Sequence, residues 1–161
     1  MNTGMNEVVI AGSGPSLDTA DWDNLPSFRI GINMATSKVP SCRFVAALDH
    51  GIFKTHELFT NRILITSAIA ISRADLNGVY PPRDVLVVQD RRYSILIAIQ
   101  HAINIGTKKI HFVGCDCSDE RAEGLQRFYT RVKEFYNNKY KVHHRMMHKL
   151  LKDNKIDYEG L

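Results

Sequence analysis

Six short apolar runs restrict the fold of this chain more than any other feature. They are Val8 to Ala11, Phe28 to Ile32, Phe44 to Leu48, Ile63 to Thr66, Val85 to Val88 and Ile110 to Val113. Each is four or five residues long, rich in β-branched side chains, and apolar without strict alternation. A strand with one wet face alternates, whereas a strand covered on both faces does not, so the runs predict a mostly parallel sheet buried between helical layers. Helical spacing fills gaps between the runs. In Tyr93 to Ile105 the side chains Ile95, Ile99, Ala102 and Ile103 recur on one face, and Gly106 stands as a stop. Asp119 to Asn137 and Lys139 to Asp153 read as two further helices broken near Asn137-Asn138, and Ile156 to Tyr158 reads as a last extended piece. Residues 76 to 84, with Asn77-Gly78 and Pro81-Pro82, read as a loop near the ligand edge. Strands alternating with helices predict an α/β fold, a single doubly wound, Rossmann-like sheet over residues 1–161 with a basic helical C-terminal third.

At 161 residues the chain is about one domain in size. An apolar share of 44% and a charged share of 24% are ordinary for a globular protein. No apolar run approaches the roughly 20 residues that span a bilayer, so no membrane span is expected. Met1 to Glu7 shows no basic or apolar leader, which predicts a cytoplasmic location. Cys42, Cys115 and Cys117 are an odd number, which fits reduced thiols, and Cys115-x-Cys117 has no second ligand pair, so no metal site is expected. The net charge of +4 is uneven, because residues 121 to 155 hold ten Lys or Arg against three Asp or Glu. That excess is either a solvated helix face or a surface for an anionic partner, a nucleotide phosphate or a nucleic acid. Assembly into an oligomer is compatible with the sequence.

Open α/β sheets bind ligands beyond the carboxyl ends of their strands. The first such end here is Gly12-Ser13-Gly14-Pro15-Ser16. Its glycines permit positive φ and remove Cβ atoms, Pro15 stiffens the turn, and Ser16 adds a hydroxyl, so the turn's N–H groups would meet a nucleotide. Leu17 stands where a dinucleotide fingerprint needs its third glycine, and no Lys-Ser/Thr follows to make a P-loop. A tight turn without a ligand is the plainer alternative. Asn33, after the second run, could read a base or ribose, or cap a turn. Asp49, after the third, could bind a metal, act as a base, or cap the next helix. Gly114-Cys115-Asp116-Cys117-Ser118 is a fourth glycine-bearing end with a carboxylate, and Ser94 puts a hydroxyl at a helix N-terminus.

Three segments in order, IAGSGPSL, FRIGIN and YSILIAIQHAINIGTKKIHFVGCDCS, resemble a superfamily of Rossmann-like nucleotide-binding transferases over residues 7 to 118. One branch is the bacterial CMP-sialic-acid-dependent sialyltransferases, and another the archaeal 6-hydroxymethyl-dihydropterin diphosphokinase-like proteins. The resemblance implies that Gly12, Ser13, Gly14, Ser16 and Asn33 hold a nucleotide or nucleotide-sugar donor, with a CMP-sugar favoured; Pro15, Ser94, Gly114 and Asp116 join the expected binding site from their places in the turn, at the helix start and at the strand end. It also shows departures. Tyr93-Ser94-Ile95 stands for the family's Thr-Ser-Gly, and Gly114-Cys115-Asp116-Cys117 for its Gly-Ile-Asp-aromatic strand end. The implied activity is transfer of a sialic-acid-like sugar to an acceptor hydroxyl, which needs a base and cations for the departing phosphate. Candidates are His143, His144, His148 and Asp49, and Tyr129 and Tyr136 share one helical face. In the diphosphokinase alternative, Asp49 and Asp116 would hold Mg²⁺. A non-catalytic nucleotide or nucleic-acid binding module is the third reading.

Overall fold

A computed structural model of the chain describes residues 6–115 and 130–161, with the side chains of 130–138 and 140 outside that description. The strands are β1 (Glu7–Ala11), β2 (Arg29–Ile32), β3 (Phe44–Ala46), β4 (Ile63–Ser67), β5 (Val85–Val88), β6 (Lys109–Val113) and β7 (Asp157–Glu159). They form one sheet in the order β5-β4-β3-β2-β1-β6-β7, and every neighbouring pair is parallel. All six apolar runs and the extended piece after Ile156 are thus strands, in an α/β fold of Rossmann type.

The lack of alternation has a direct cause. Val8 and Ile10 face a core shared with Ile30, Ile65, Ile110 and Phe112, covered by α3 (Ser94–Asn104) and α4 (Thr130–Asp153). Val9 and Ala11 face the other side, where Leu17, Ala35 and Val39 pack on them. Further along that side Phe53 of α1 (His50–Phe53), with Ala70 and Ala74 of α2 (Ala68–Leu76), covers Ala47 and Leu64. Each fully buried Leu or Ile contributes about 1.5–3 kcal/mol, and both faces collect that contribution. α3 is buried almost all round because it lies between sheet and α4. Its polar Gln100 is satisfied there by Arg91, whose Nη2 and Nε donate to Oε1 at 2.6 and 3.0 Å.

The chain walks from β1 outward to β5 by connections on one face. It then crosses back over the opposite face through α3 to enter β6 beside β1. The switch point between β1 and β6 is where a doubly wound sheet opens a crevice. The first turn leads into short 3₁₀ helices at Pro15–Leu17 and Trp22–Asn24, which the sequence patterns do not supply. Some expectations are corrected here. Asn137-Asn138 does not break the last helix, since α4 runs unbroken from Thr130 to Asp153. Asn costs a helix only a fraction of a kcal/mol, while Met147 and Leu151 anchor α4 in the core. The irregular segment after Leu76 enters the amino end of parallel β5, so it lies at the edge opposite the strand carboxyl ends, not near them. Helix 119 to 137 falls partly, and Tyr129 wholly, outside the described residues, as does the side chain of Tyr136. Among the described residues no helix is long and apolar enough to cross a membrane.

Candidate functional site

The turn after β1 and the turn after β6 are spliced together. Gly12 N–H donates to Val113 O at 2.8 Å, Gly14 N–H to Gly114 O at 2.7 Å, and Gly114 N–H to Ser16 Oγ at 2.8 Å. This corrects part of one expectation: the amides of Gly12 and Gly14 are spent on the β6 end and do not reach outward. Positive φ is required at neither Gly12 nor Gly14, where φ is −70°. Gly12 is needed for space, because a Cβ there would lie 2.7 Å from Gly114 O. Gly114 is needed for space and for its φ of +64°.

Above this splice, at the carboxyl ends of β1, β2, β3 and β6, lies a cavity of about 580 Å³. Gly12 to Pro15 form its floor with Gly114 and Cys115; Ile32-Asn33 and Leu48-Asp49 form one side. The start of α3 (Arg92, Tyr93, Ser94, Ile95) and one face of α4 (Lys139, His143, Met147) close it. Ser94 Oγ accepts from Leu48 N–H at 3.2 Å, which ties the α3 N-terminus to the end of β3. Tyr93 precedes α3 without a side-chain cap, so the first amides of that helix carry its positive dipole toward the cavity.

The predicted residues divide. Gly12, Ser13, Gly14, Pro15, Asn33, Asp49, Ser94, Gly114 and His143 line the cavity. Ser16 does not; it faces a smaller cavity on the other side of the sheet. His144 and His148 also do not. Their rings lie 5.5 Å apart, and His148 Nδ1 is 2.8 Å from Tyr158 Oη. Asp116, Cys117 and Ser118 lie outside the described residues. Asp49 lines the cavity, and of its three readings the cap is observed, since its Oδ1 accepts from Gly51 N–H at 2.7 Å at the start of α1. Asn33 takes a left-handed φ of +50°, and its buried Oδ1 has no hydrogen-bond partner among the described residues. A left-handed Asn with a buried, unpaired acceptor is where ligand contacts concentrate. The described residues hold no cluster of three or more His, Cys, Asp or Glu placed to bind a metal.

Sequence reasoning missed Arg92 and Lys139. Among the described residues they are the cations that line the cavity, and the signal for one is legible as Arg91-Arg92 directly before a helix start. Together they shape His143. Its ring packs against Tyr93, tilted by 42° with centroids 3.6 Å apart. Burial first, then Lys139, Arg92 and His144, pushes its pKa down to about 4, so the imidazole is neutral at pH 7. Between the ordinary 6.5 and this value the unfolded chain binds a proton that the folded chain refuses. Stability is therefore expected to fall as pH drops through that window. Because the ring is only half-buried, screening reduces the effect to ~1–2 kcal/mol. Urea midpoints at intervals across the window measure it, and His143→Phe, which keeps a ring packed against Tyr93, should flatten the slope. Equal slopes in parent and variant would assign the pH dependence elsewhere, with His101, lowered by burial, the next group to change.

No protein-family model matches the chain, and no curated protein matches it.

Proposed function

We propose that the cavity binds a nucleotide-activated sugar, a CMP-sugar by preference, and that the protein transfers the sugar to an acceptor hydroxyl. The observation that carries this reading is the meeting of Arg92, Lys139 and a neutral His143 in one cavity at the β1/β6 switch point. Arg92 and Lys139, with the N-terminus of α3, supply positive charge for a phosphate. His143 supplies a nitrogen lone pair for the acceptor proton. Asn33 Oδ1 supplies an acceptor for an amino or hydroxyl group of the base or ribose. The nucleotide identity rests on the resemblance of the Gly12 turn, Asn33 and Ser94 segments to the sialyltransferase branch.

Calorimetry with CMP, CMP-sugars, UDP-sugars, ATP and GTP, each with and without Mg²⁺, tests the reading. The expected result is a cytidine preference that Mg²⁺ does not alter. Arg92→Ala should weaken that binding about tenfold or more, the effect of losing a hydrogen bond to a charged group. Triphosphate preference that requires Mg²⁺ would replace sugar transfer with diphosphoryl transfer, and binding of none of these ligands would remove the site.

A further inference from the structure

At the other side of the sheet, away from the cavity, one imidazole joins three strands. His111 of β6 is buried, with only 10% of its side chain exposed. Its Nε2 lies 2.6 Å from Glu7 Oε2 on β1, and its Nδ1 is in contact with Glu159 Oε1 on β7. Glu159 Oε2 also meets Lys109 Nζ at 3.2 Å. The charged groups around the ring are thus Glu7 from β1, Glu159 from β7, and Lys109 from its own strand through Glu159. Both ring nitrogens face carboxylate oxygens, and an ionised carboxylate only accepts. A neutral imidazole carries one N–H and cannot donate to both; an imidazolium can.

We propose that His111 is a proton-operated latch that fastens β7 to the sheet. With the ring protonated, both carboxylates are held and β1, β6 and β7 are tied across their side chains as well as their backbones. When the ring gives its proton to solvent, one nitrogen presents a lone pair to a carboxylate and one tie is lost. β7 is the element with least to replace it. It is three residues long, exposed throughout, and at the sheet edge it pairs with β6 alone among the described residues. Lys109 holds Glu159 in either state, and with His111 it keeps the Glu159 carboxyl below its ordinary range. The sign follows from the donor count: the strand is secure at the acid side of the His111 titration and loosens as pH rises through it, the reverse of the His143 effect.

Two measurements test the latch. Nitrogen chemical shifts of the His111 ring across a pH series should show protons on both nitrogens at its acid end; a single ring N–H throughout would overturn the proposal. Hydrogen-exchange protection of the β7 amides, corrected for intrinsic rates, should fall about tenfold as His111 deprotonates, while β2 amides hold theirs. Glu159→Gln, a change at an exposed side chain, supplies an amide that meets either protonation state of the ring, and should remove the pH dependence without unfolding the chain. Protection of β7 that does not change with pH in the parent, or a dependence that survives in Glu159→Gln, would overturn it.

Discussion

Gly114→Ala is expected to destabilise the protein by about 3–4 kcal/mol. The φ of +64° costs an L-residue about 1–2 kcal/mol in the left-handed region. The new Cβ would also lie 2.1 Å from Gly12 O and 3.0 Å from the Leu17 side chain. The nearest obstacle is backbone in the neighbouring turn, held by Gly12 N–H to Val113 O, so it must be displaced rather than rotated aside, at a further ~1–3 kcal/mol. Gly106→Ala is the matched comparison, because φ there is +80° but a Cβ would have nothing within 4 Å. It should cost only about 1 kcal/mol. Urea denaturation of the two variants beside the parent measures the difference. Similar losses would mean that backbone conformation alone, and not the β1/β6 splice, makes Gly114 necessary. The same variant should lose ligand binding, since the splice is the cavity floor.

This pair of glycines shows where the sequence is legible and where it is not. The strands could be read because burial on both faces demands β-branched runs without alternation, and that demand is local. α3 could be read for the same reason, from Ile95, Ile99 and Ala102. The turn after β1 reads as a place of close approach, and the turn after β6 is what approaches Gly12. That depends on β1 and β6 being neighbours, a consequence of the crossover through α3 that no local pattern contains. α2 buries only the small Ala70 and Ala74, so its core face carries no strong periodic signal. The continuity of α4 is not legible at Asn137-Asn138, because the packing of Met147 and Leu151 that carries the helix through is a property of the fold. The histidines divide for a similar reason. His143, His144 and His148 are alike in a basic, amphipathic segment; only the approach of α4 to the start of α3 selects His143. Arg92 precedes α3 and Lys139 lies on α4, and their convergence is a property of the fold.

That selection gives the sharpest functional expectation. In the proposed transfer the bond between the sugar's anomeric carbon and the phosphate oxygen breaks and the nucleotide monophosphate departs. The acceptor oxygen bonds to that carbon and its proton passes to His143. In the ligand-free site the imidazole is a weak base, because burial and the charges of Lys139 and Arg92 hold its pKa near about 4. A bound phosphate beside the same two cations offsets their repulsion of the imidazolium and raises that pKa, so base strength arrives with the substrate. His143→Ala should therefore lower turnover of a sugar donor by about 10²–10⁴-fold while leaving nucleotide affinity near the parent value. His144→Ala and His148→Ala should keep turnover close to the parent, since neither ring lines the cavity. Donor-hydrolysis rates for the three variants, with calorimetric affinities on the same samples, decide the matter. Parent-like turnover in His143→Ala would remove it as the base, and a comparable loss in His144→Ala or His148→Ala would place the chemistry on the other side of α4.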